Sequence, residues 1–120
     1  RVKIGNSSDS DIFVSIHLNK IPQNQYYGWQ TFYKRNSEEG KNLSNYIQEN
    51  LNQSIQIENK RVPQIISGKY IIENLEIPTV IVECGFLSNP TEANLLTQND
   101  YQDKIAWGIY CGIMDYFDNK

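Results

Sequence analysis

The stretch TVIVE, residues 79–83, decides how this 120-residue chain folds. Its first four residues are apolar or β-branched with no polar alternation, which is typical of a strand buried on both faces. Residues 12–16, IFVSI, show a similar pattern and lead directly into His17. Because doubly buried strands occur mainly in parallel sheets covered by helices, these two stretches predict an α/β fold.

Amphipathic helices are predicted between and after the two strands. Residues 36–39, NSEE, have the form of a capping box with Asn36 as the N-cap. Residues 89–92, NPTE, and residues 99–102, NDYQ, give two further helix starts. Behind the first and last of these starts, apolar residues recur at helical spacing, at Leu43, Tyr46, Ile47 and Leu51 and at Ile105, Ile109, Ile113 and Met114.

Two shorter strands complete the predicted elements. Residues 29–33 alternate as a strand does, and residues 69–74 are a further candidate strand. The polar residues 19–28 are predicted to form a loop, whereas the pattern of residues 53–68 leaves their structure open. We therefore expect one three-layer αβα domain, residues 1–120, built on a mixed and largely parallel sheet.

The composition narrows the classes of function. Hydrophobic residues make up 39% and charged residues 21%, which is typical of a globular domain rather than a disordered chain. The 11 basic and 14 acidic residues give a net charge of −3, which argues against a nucleic-acid binder. No apolar run approaches the ~18 residues of a membrane span. Two cysteines, Cys84 and Cys111, leave open one bridge or two buried thiols, and the thiols are favoured.

Both strong strands end in a titratable side chain, His17 after the first and Glu83 after the second. Ligand crevices lie outside the carboxyl ends of strands in open parallel sheets, so the two side chains could face one pocket. The competing interpretation is a core histidine bonded to a backbone carbonyl and a carboxylate paired with a lysine. Successive side chains point to opposite faces of a strand, so a thiol enzyme built from Cys84 and His17 is disfavoured.

Three blocks of sequence surround these residues, FVSIHLN at 13–19, GWQTFY at 28–33 and VECGFLSN at 82–89. In type and order they resemble the zinc-dependent N-acetylmuramoyl-L-alanine amidases of the Amidase_3 family. The similarity extends from Arg1 to the last predicted helix. The tyrosine-rich loop and the amino-acid sequences of the three blocks are most similar to those of the germination-specific amidases of the spore cortex.

The resemblance implies a role for each titratable residue. His17 matches the third zinc ligand of the family, and Glu83 matches its catalytic acid/base. A zinc ion would polarise the scissile carbonyl and lower the pKa of its bound water towards ~7. Glu83 would take the proton of that water and return it to the leaving amine of L-alanine. The bond cut would be the amide between N-acetylmuramic acid and the peptide stem.

The chain departs from the family pattern in its set of metal ligands. It contains one histidine, whereas the family's other two ligands, a histidine and a glutamate, lie upstream of the position that matches Arg1. We expect these residues to be the C-terminal part of an amidase domain, without its first strands and first helix, and to be inactive by themselves. The alternative is a non-catalytic peptidoglycan-binding module or inactive fragment. Exposed sheet edges would favour a homo-oligomer of the truncated chain.

Substrate contacts are expected beside the metal ligand. Asn19 lies two residues beyond His17, where its side chain could meet substrate or lock the loop. Tyr27, together with Tyr26 and Trp29, could stack on sugar or peptide or simply cover the strand beneath. The resemblance further implies a peptidoglycan glycan–peptide substrate, an extracytoplasmic location in the cell wall or spore cortex, and a lipoprotein regulator. No signal or anchor pattern is seen in these residues, and no nucleic-acid partner is expected.

Overall fold

The computed structural model describes residues 2–7 and 9–120, which form five helices and four strands. The helices are α1 Val2–Ser7, α2 Glu38–Ile55, α3 Tyr70–Asn74, α4 Pro90–Leu96 and α5 Asn99–Asp118. The strands are β1 Phe13–Asn19, β2 Gln30–Lys34, β3 Gln64–Ile66 and β4 Thr79–Phe86.

The four strands form one mixed sheet in the order β1-β4-β2-β3. β1 runs parallel to β4, with Phe13 opposite Thr79 and His17 opposite Glu83. β2 runs antiparallel to β4, with Gln30 opposite Glu83, and β3 runs parallel to β2. Two of the three strand pairs are thus parallel, which confirms the predicted α/β sheet.

Helices cover both faces of the sheet. On one face the β4 side chains Val80 and Val82 join α2 and α5 in the hydrophobic core. On the other face Ile81 is buried, with 4% of its surface exposed. The absent side chain of Gly5 in α1 makes room for Leu75 next to Phe13. Because Phe13 and Ile81 share a face by the alternation of strand residues, α1 and α3 form the third layer.

Strand β1 is less buried than its sequence predicts. It lies at the edge of the sheet and, among the described strands, pairs with β4 alone. Ile16 is 59% exposed and Leu18 is 50% exposed on its outer half. The continuous apolar run was interpreted as a doubly covered strand, but no described helix covers this end of it. Self-association of the chain through such an edge stays a prediction.

The segment 69–74 is helical, so its prediction as a strand is wrong. In α3 the backbone N–H of Glu73 donates to the carbonyl of Lys69 at 3.0 Å, which is the spacing of a helical turn. Ile72 is fully buried by this turn. The fourth strand, β3, instead lies in the segment 53–68, whose pattern gave no clear prediction, and the short helix α1 carried no sequence signal.

The predicted helix starts are close to the observed ones. At α4 the Asn89 side chain caps the helix by accepting from the Glu92 N–H, with Pro90 in the first turn, as predicted. At α2 the cap is Ser37, whose hydroxyl accepts from the Gly40 N–H at 3.0 Å. Asn36 lies one residue earlier with a φ of 67°, so the prediction of that cap is wrong by one position.

Helix α5 is only partly covered by the rest of the molecule. Ile105 and Ile109 are buried as predicted, whereas Met114 is 41% exposed. Trp107 and Tyr110 stack on each other at 5.6 Å between ring centroids, on the exposed side. Within the described residues, no helix combines the length and the apolar character needed to cross a membrane.

Candidate functional site

The structure brings His17 and Glu83 side by side. They are direct partners in the register of the parallel strands β1 and β4, and such partners present their side chains on the same face of a sheet. Both lie towards the carboxyl ends of their strands, where ligand crevices form in α/β sheets. The sequence-based expectation that these two residues share one location therefore agrees with the fold.

Glu83 has an unusual carboxylate. Its Oε2 atom is buried and, among the described groups, has no hydrogen-bond partner. A buried oxygen without a partner costs free energy, so such atoms in folded proteins call for a functional explanation. Such an oxygen beside His17 makes this end of the sheet a candidate site.

His17 is exposed and is oriented by its own strand. Its Nε2 lies 2.7 Å from the Ser15 hydroxyl oxygen. Ser15 precedes His17 by two residues, so both side chains project from the same face of β1. A hydrogen bond at one ring nitrogen fixes the orientation of an imidazole and leaves the other nitrogen for a ligand, the usual arrangement of a metal-binding histidine.

The described residues do not by themselves form a complete metal centre. No group of three or more His, Cys, Asp or Glu side chains that could hold a metal ion is found among them. A catalytic zinc ion usually has three protein ligands and one open position. His17 fits one such ligand, and the rest of a three-ligand set is not found in the described part of the chain.

On its other side Glu83 borders Gln30, its antiparallel partner in β2. The Gln30 side chain is held at both ends, because its Nε2 donates to the Val62 carbonyl at 2.8 Å and its Oε1 accepts from Arg61 at 3.2 Å. The Arg61 guanidinium also lies over the Phe86 ring, 4.9 Å from the centroid. This side of the site is therefore fixed in place before any ligand arrives.

The two predicted substrate contacts, Asn19 and Tyr27, lie at the end of the sheet where β1 and β4 finish and β2 begins. Asn19 ends β1, and its Oδ1 accepts from the Lys20 N–H at 2.9 Å, a bond that orders the start of the loop. Tyr27 is 50% exposed three residues before Gln30, and its carbonyl accepts from Arg61 Nε at 2.8 Å. Tyr27 lines a hollow of about 380 Å³, which His17 and Glu83 do not line.

Cys84 is separated from His17 by the sheet. It is buried in the core on the α2–α5 face and is a free thiol, as is Cys111. Burial, reinforced by the nearby carboxylates of Glu83 and Glu92, raises the pKa of the Cys84 thiol to about 12. A thiol in such surroundings is a poor nucleophile, which agrees with the expectation that an enzyme built from Cys84 and His17 is disfavoured.

Glu92 is the residue of this region that sequence reasoning missed. It was interpreted as a first-turn residue of α4, yet only 5% of its surface is exposed. Burial raises the pKa of its carboxyl group, against the opposing effects of the Phe86 and Gly28 N–H groups and of Arg61. No local pattern marks this role in the sequence, because the fold alone brings Gly28 to this carboxylate.

The sequence of this chain matches a known protein family. The family described as N-acetylmuramoyl-L-alanine amidase matches residues 1–115. The germination-specific N-acetylmuramoyl-L-alanine amidase of Bacillus subtilis is 41% identical over 120 residues, which cover all of this chain and 50% of that protein. The chain thus spans about half the length of this curated relative.

Solved structures show the same fold. The CwlD amidase of Clostridioides difficile, determined in complex with the GerS lipoprotein, superposes with a TM-score of 0.95 at 44% identity. That alignment covers 98% of this chain and 60% of CwlD. An N-acetylmuramoyl-L-alanine amidase from Clostridium difficile 630 gives a TM-score of 0.90 at 28% identity, covering 99% of this chain and 64% of the other.

Proposed function

This chain belongs to the N-acetylmuramoyl-L-alanine amidase family, and from that membership we propose that it carries the acid/base residue of an enzyme that cleaves peptidoglycan. The bond hydrolysed is the amide between N-acetylmuramic acid and the L-alanine of the peptide stem. The observation that carries the proposal is the pairing of His17 with Glu83 on adjacent parallel strands. The buried Oε2 of Glu83, which has no hydrogen-bond partner among the described residues, supports it.

Glu83 serves both halves of the reaction. Its carboxylate accepts a proton from the attacking water as the carbonyl carbon becomes tetrahedral. The same proton then passes to the amine of L-alanine, so that the C–N bond breaks and a neutral amine leaves. One carboxylate can perform both transfers because the proton returns to the substrate within one turnover.

We include zinc in the proposal as the metal of this family. His17 is one ligand, through the ring nitrogen that does not contact Ser15. The described residues offer no group of three ligands, so His17 is the one ligand that this proposal names. Zinc dependence therefore rests on the resemblance and on the accessible imidazole beside Glu83.

Tyr27 and Asn19 are the proposed substrate contacts. The exposed Tyr27 ring offers an apolar face to a sugar or a peptide side chain at the edge of the site. Asn19 places an amide at the end of β1 beside the same edge. Side-chain contacts of these two kinds suit a ligand that joins a sugar to a peptide.

The biological setting follows from the relatives. The Bacillus subtilis relative is named germination-specific, which supports a role in the spore cortex and action outside the cytoplasm. The CwlD relative was solved with a lipoprotein, which supports a lipoprotein partner for this protein as well. Both are parts of the proposal.

The decisive experiment replaces the carboxylate. In the natural polypeptide that carries these residues, Glu83→Gln keeps the shape of the side chain but cannot accept the proton of water. We expect the release of stem peptides from purified peptidoglycan to fall by ~10²–10⁴-fold, the usual contribution of a general acid/base. The matched control is Glu49→Gln, since Glu49 is exposed on α2 and does not line the hollow beside Tyr27.

Two results would contradict the proposal. Full activity in the Glu83→Gln enzyme would remove Glu83 from the chemistry. A wild-type protein that binds peptidoglycan but releases no peptide, with or without added zinc, would instead identify a non-catalytic wall-binding module.

A further inference from the structure

The Glu92 carboxylate joins two segments that lie far apart in sequence. Its Oε1 accepts from the Phe86 N–H at 2.6 Å, and its Oε2 accepts from the Gly28 N–H at 2.9 Å. A longer contact of 3.2 Å links Oε1 to the same Gly28 N–H. Hydrogen bonds from backbone N–H groups to a carboxylate are among the stronger ones in proteins. The side chain therefore holds both segments at once.

These two segments flank the candidate site. Gly28 lies between Tyr27, the proposed substrate contact, and the start of β2, where Gln30 borders Glu83. Phe86 ends β4, three residues after Glu83. Neither N–H group is part of the β2–β4 ladder, so the carboxylate provides an attachment that the sheet does not.

The local sequence makes room for this arrangement. A Cβ atom at position 85 would lie 2.8 Å from Glu92 Cδ, so only glycine admits the buried carboxylate there. Gly28 has a φ of 107°, a conformation that L-residues rarely adopt, and its Cβ would collide with Asn59. Both glycines are thus explained by the position of Glu92 and the turn that it holds.

A carboxylate is a costly choice for a purely structural contact. Burying a charge is unfavourable unless the charge is paired and hydrogen-bonded. Arg61 supplies a nearby positive charge, and its Nε also donates to the Tyr27 carbonyl at 2.8 Å. Glu92 and Arg61 therefore act on the same turn, one from the core and one from the surface.

We propose that Glu92 is a positioning residue of the amidase site, which fixes the Tyr27–Gly28 turn against the end of β4 for substrate binding. The inference rests on the proposed function for its substrate, but its structural part can be tested separately. Glu92 does not touch the reacting atoms. Its loss should weaken substrate binding more than it slows the chemical step.

The test uses two variants of the natural polypeptide that carries these residues. Glu92→Gln removes the charge and turns one acceptor into a donor that faces an N–H group. Gly85→Ala keeps the carboxylate but displaces it through the added methyl group. The control is Tyr116→Phe, which deletes the 2.6 Å bond from Tyr116 to Glu39 and leaves the site intact.

The first measurement is hydrogen exchange at the two amides. In both variants we expect the Gly28 and Phe86 N–H groups to exchange at least ~10-fold faster, while amides of the β2–β4 ladder keep their protection. The Tyr116→Phe control should leave both amides unchanged. Unchanged exchange at Gly28 and Phe86 in both variants would overturn the inference. The two variants together guard against one that fails to fold.

The second measurement separates binding from chemistry. With muropeptide substrates, we expect KM to rise ~10-fold in Glu92→Gln and Gly85→Ala, with kcat falling by less than ~3-fold. A loss confined to kcat, or an equal loss in Tyr116→Phe, would overturn the positioning role. If the wild-type protein cleaves no substrate, the proposed function fails, and the exchange experiment still decides whether Glu92 holds the two segments.

Discussion

Glu83 and Cys84 are neighbours in the chain, yet their side chains lie on opposite faces of the sheet. Strand geometry turns Glu83 towards the open face with His17 and turns Cys84 into the core with Val82. One residue of shift along β4 would exchange the carboxylate and the thiol. The chemistry of the site thus depends on the register of a single strand.

The two thiols should differ in reactivity. Burial first, and then the nearby carboxylates, raises the pKa of Cys84 to about 12, so its thiolate is scarcely populated at pH 8. Cys111 is free and partly exposed. We expect iodoacetamide to label Cys111 at pH 8 in the folded protein, and Cys84 only after denaturant is added. Mass spectrometry of the labelled peptides measures this, and rapid labelling of native Cys84 would show that its environment is misjudged.

The placement of a residue could be predicted from sequence where it depends on local order. His17 and Glu83 each follow an apolar run, so strand direction and the crevice rule predicted that they could face one pocket, and the register places them side by side. Glu92 could not be found in this way. Its acceptor role depends on Gly28, which lies 64 residues earlier in the chain, and no local pattern encodes a contact of that range.

Helices α2 and α5 pack closely along a pair of glycines. A Cβ at Gly112 would lie 2.5 Å from the Ile47 Cα, and one at Gly108 would lie 3.0 Å from the Leu51 Cα. Both contacts are with backbone atoms, which cannot move without displacing a helix. The spacing of four residues places the two glycines on one side of α5. The α2–α5 layer therefore requires small residues at this crossing.

Replacement of Gly112 tests this packing. Alanine is favoured over glycine within a helix by about 1 kcal/mol, so an exposed glycine would gain stability from the change. At Gly112 we expect the opposite, a net loss of about 1–3 kcal/mol from overpacking. Urea denaturation of Gly112→Ala measures the free energy of unfolding. Unchanged or increased stability would mean that the helices can separate at little cost.

Elements were predictable where one physical signal dominated. The core strand β4 has an uninterrupted apolar run, and α4 has both an asparagine cap and a proline in its first turn. The prediction for segment 69–74 was wrong because six residues are too few to distinguish helical from strand spacing. β1 was placed correctly, but its exposed Ile16 depends on its edge position in the sheet, which its own residues do not specify.

At the scale of the molecule, one histidine leaves the metal centre incomplete within the described residues. Three protein ligands are usual for catalytic zinc, and a single imidazole holds the ion weakly. The incompleteness explains why the sequence predicts the acid/base more securely than the metal site. The metal site therefore stays a prediction that rests on the resemblance and on His17.

Zinc titration tests this prediction. We expect the isolated 120-residue chain to bind zinc weakly, and the natural polypeptide that carries it to bind zinc tightly with one ion per chain. His17→Ala in that polypeptide should lower the affinity by ~100-fold or more, since even loss of a group that only orients a ligand costs 10–100-fold. Tight binding by the 120 residues alone, or no effect of His17→Ala, would contradict the assignment of His17.

The pairing of β1 with β4 also has a consequence for the order of folding. Phe13 meets Thr79 across a long stretch of intervening chain, whereas β2 and α2 are joined by a short turn. Closing a long loop costs entropy before its contacts form, so we expect β1 to join the sheet late and to detach first. His17 lies on that strand, and the imidazole therefore belongs to the part of the sheet that opens most readily. A ligand bound to His17 would therefore oppose the detachment of β1 from β4.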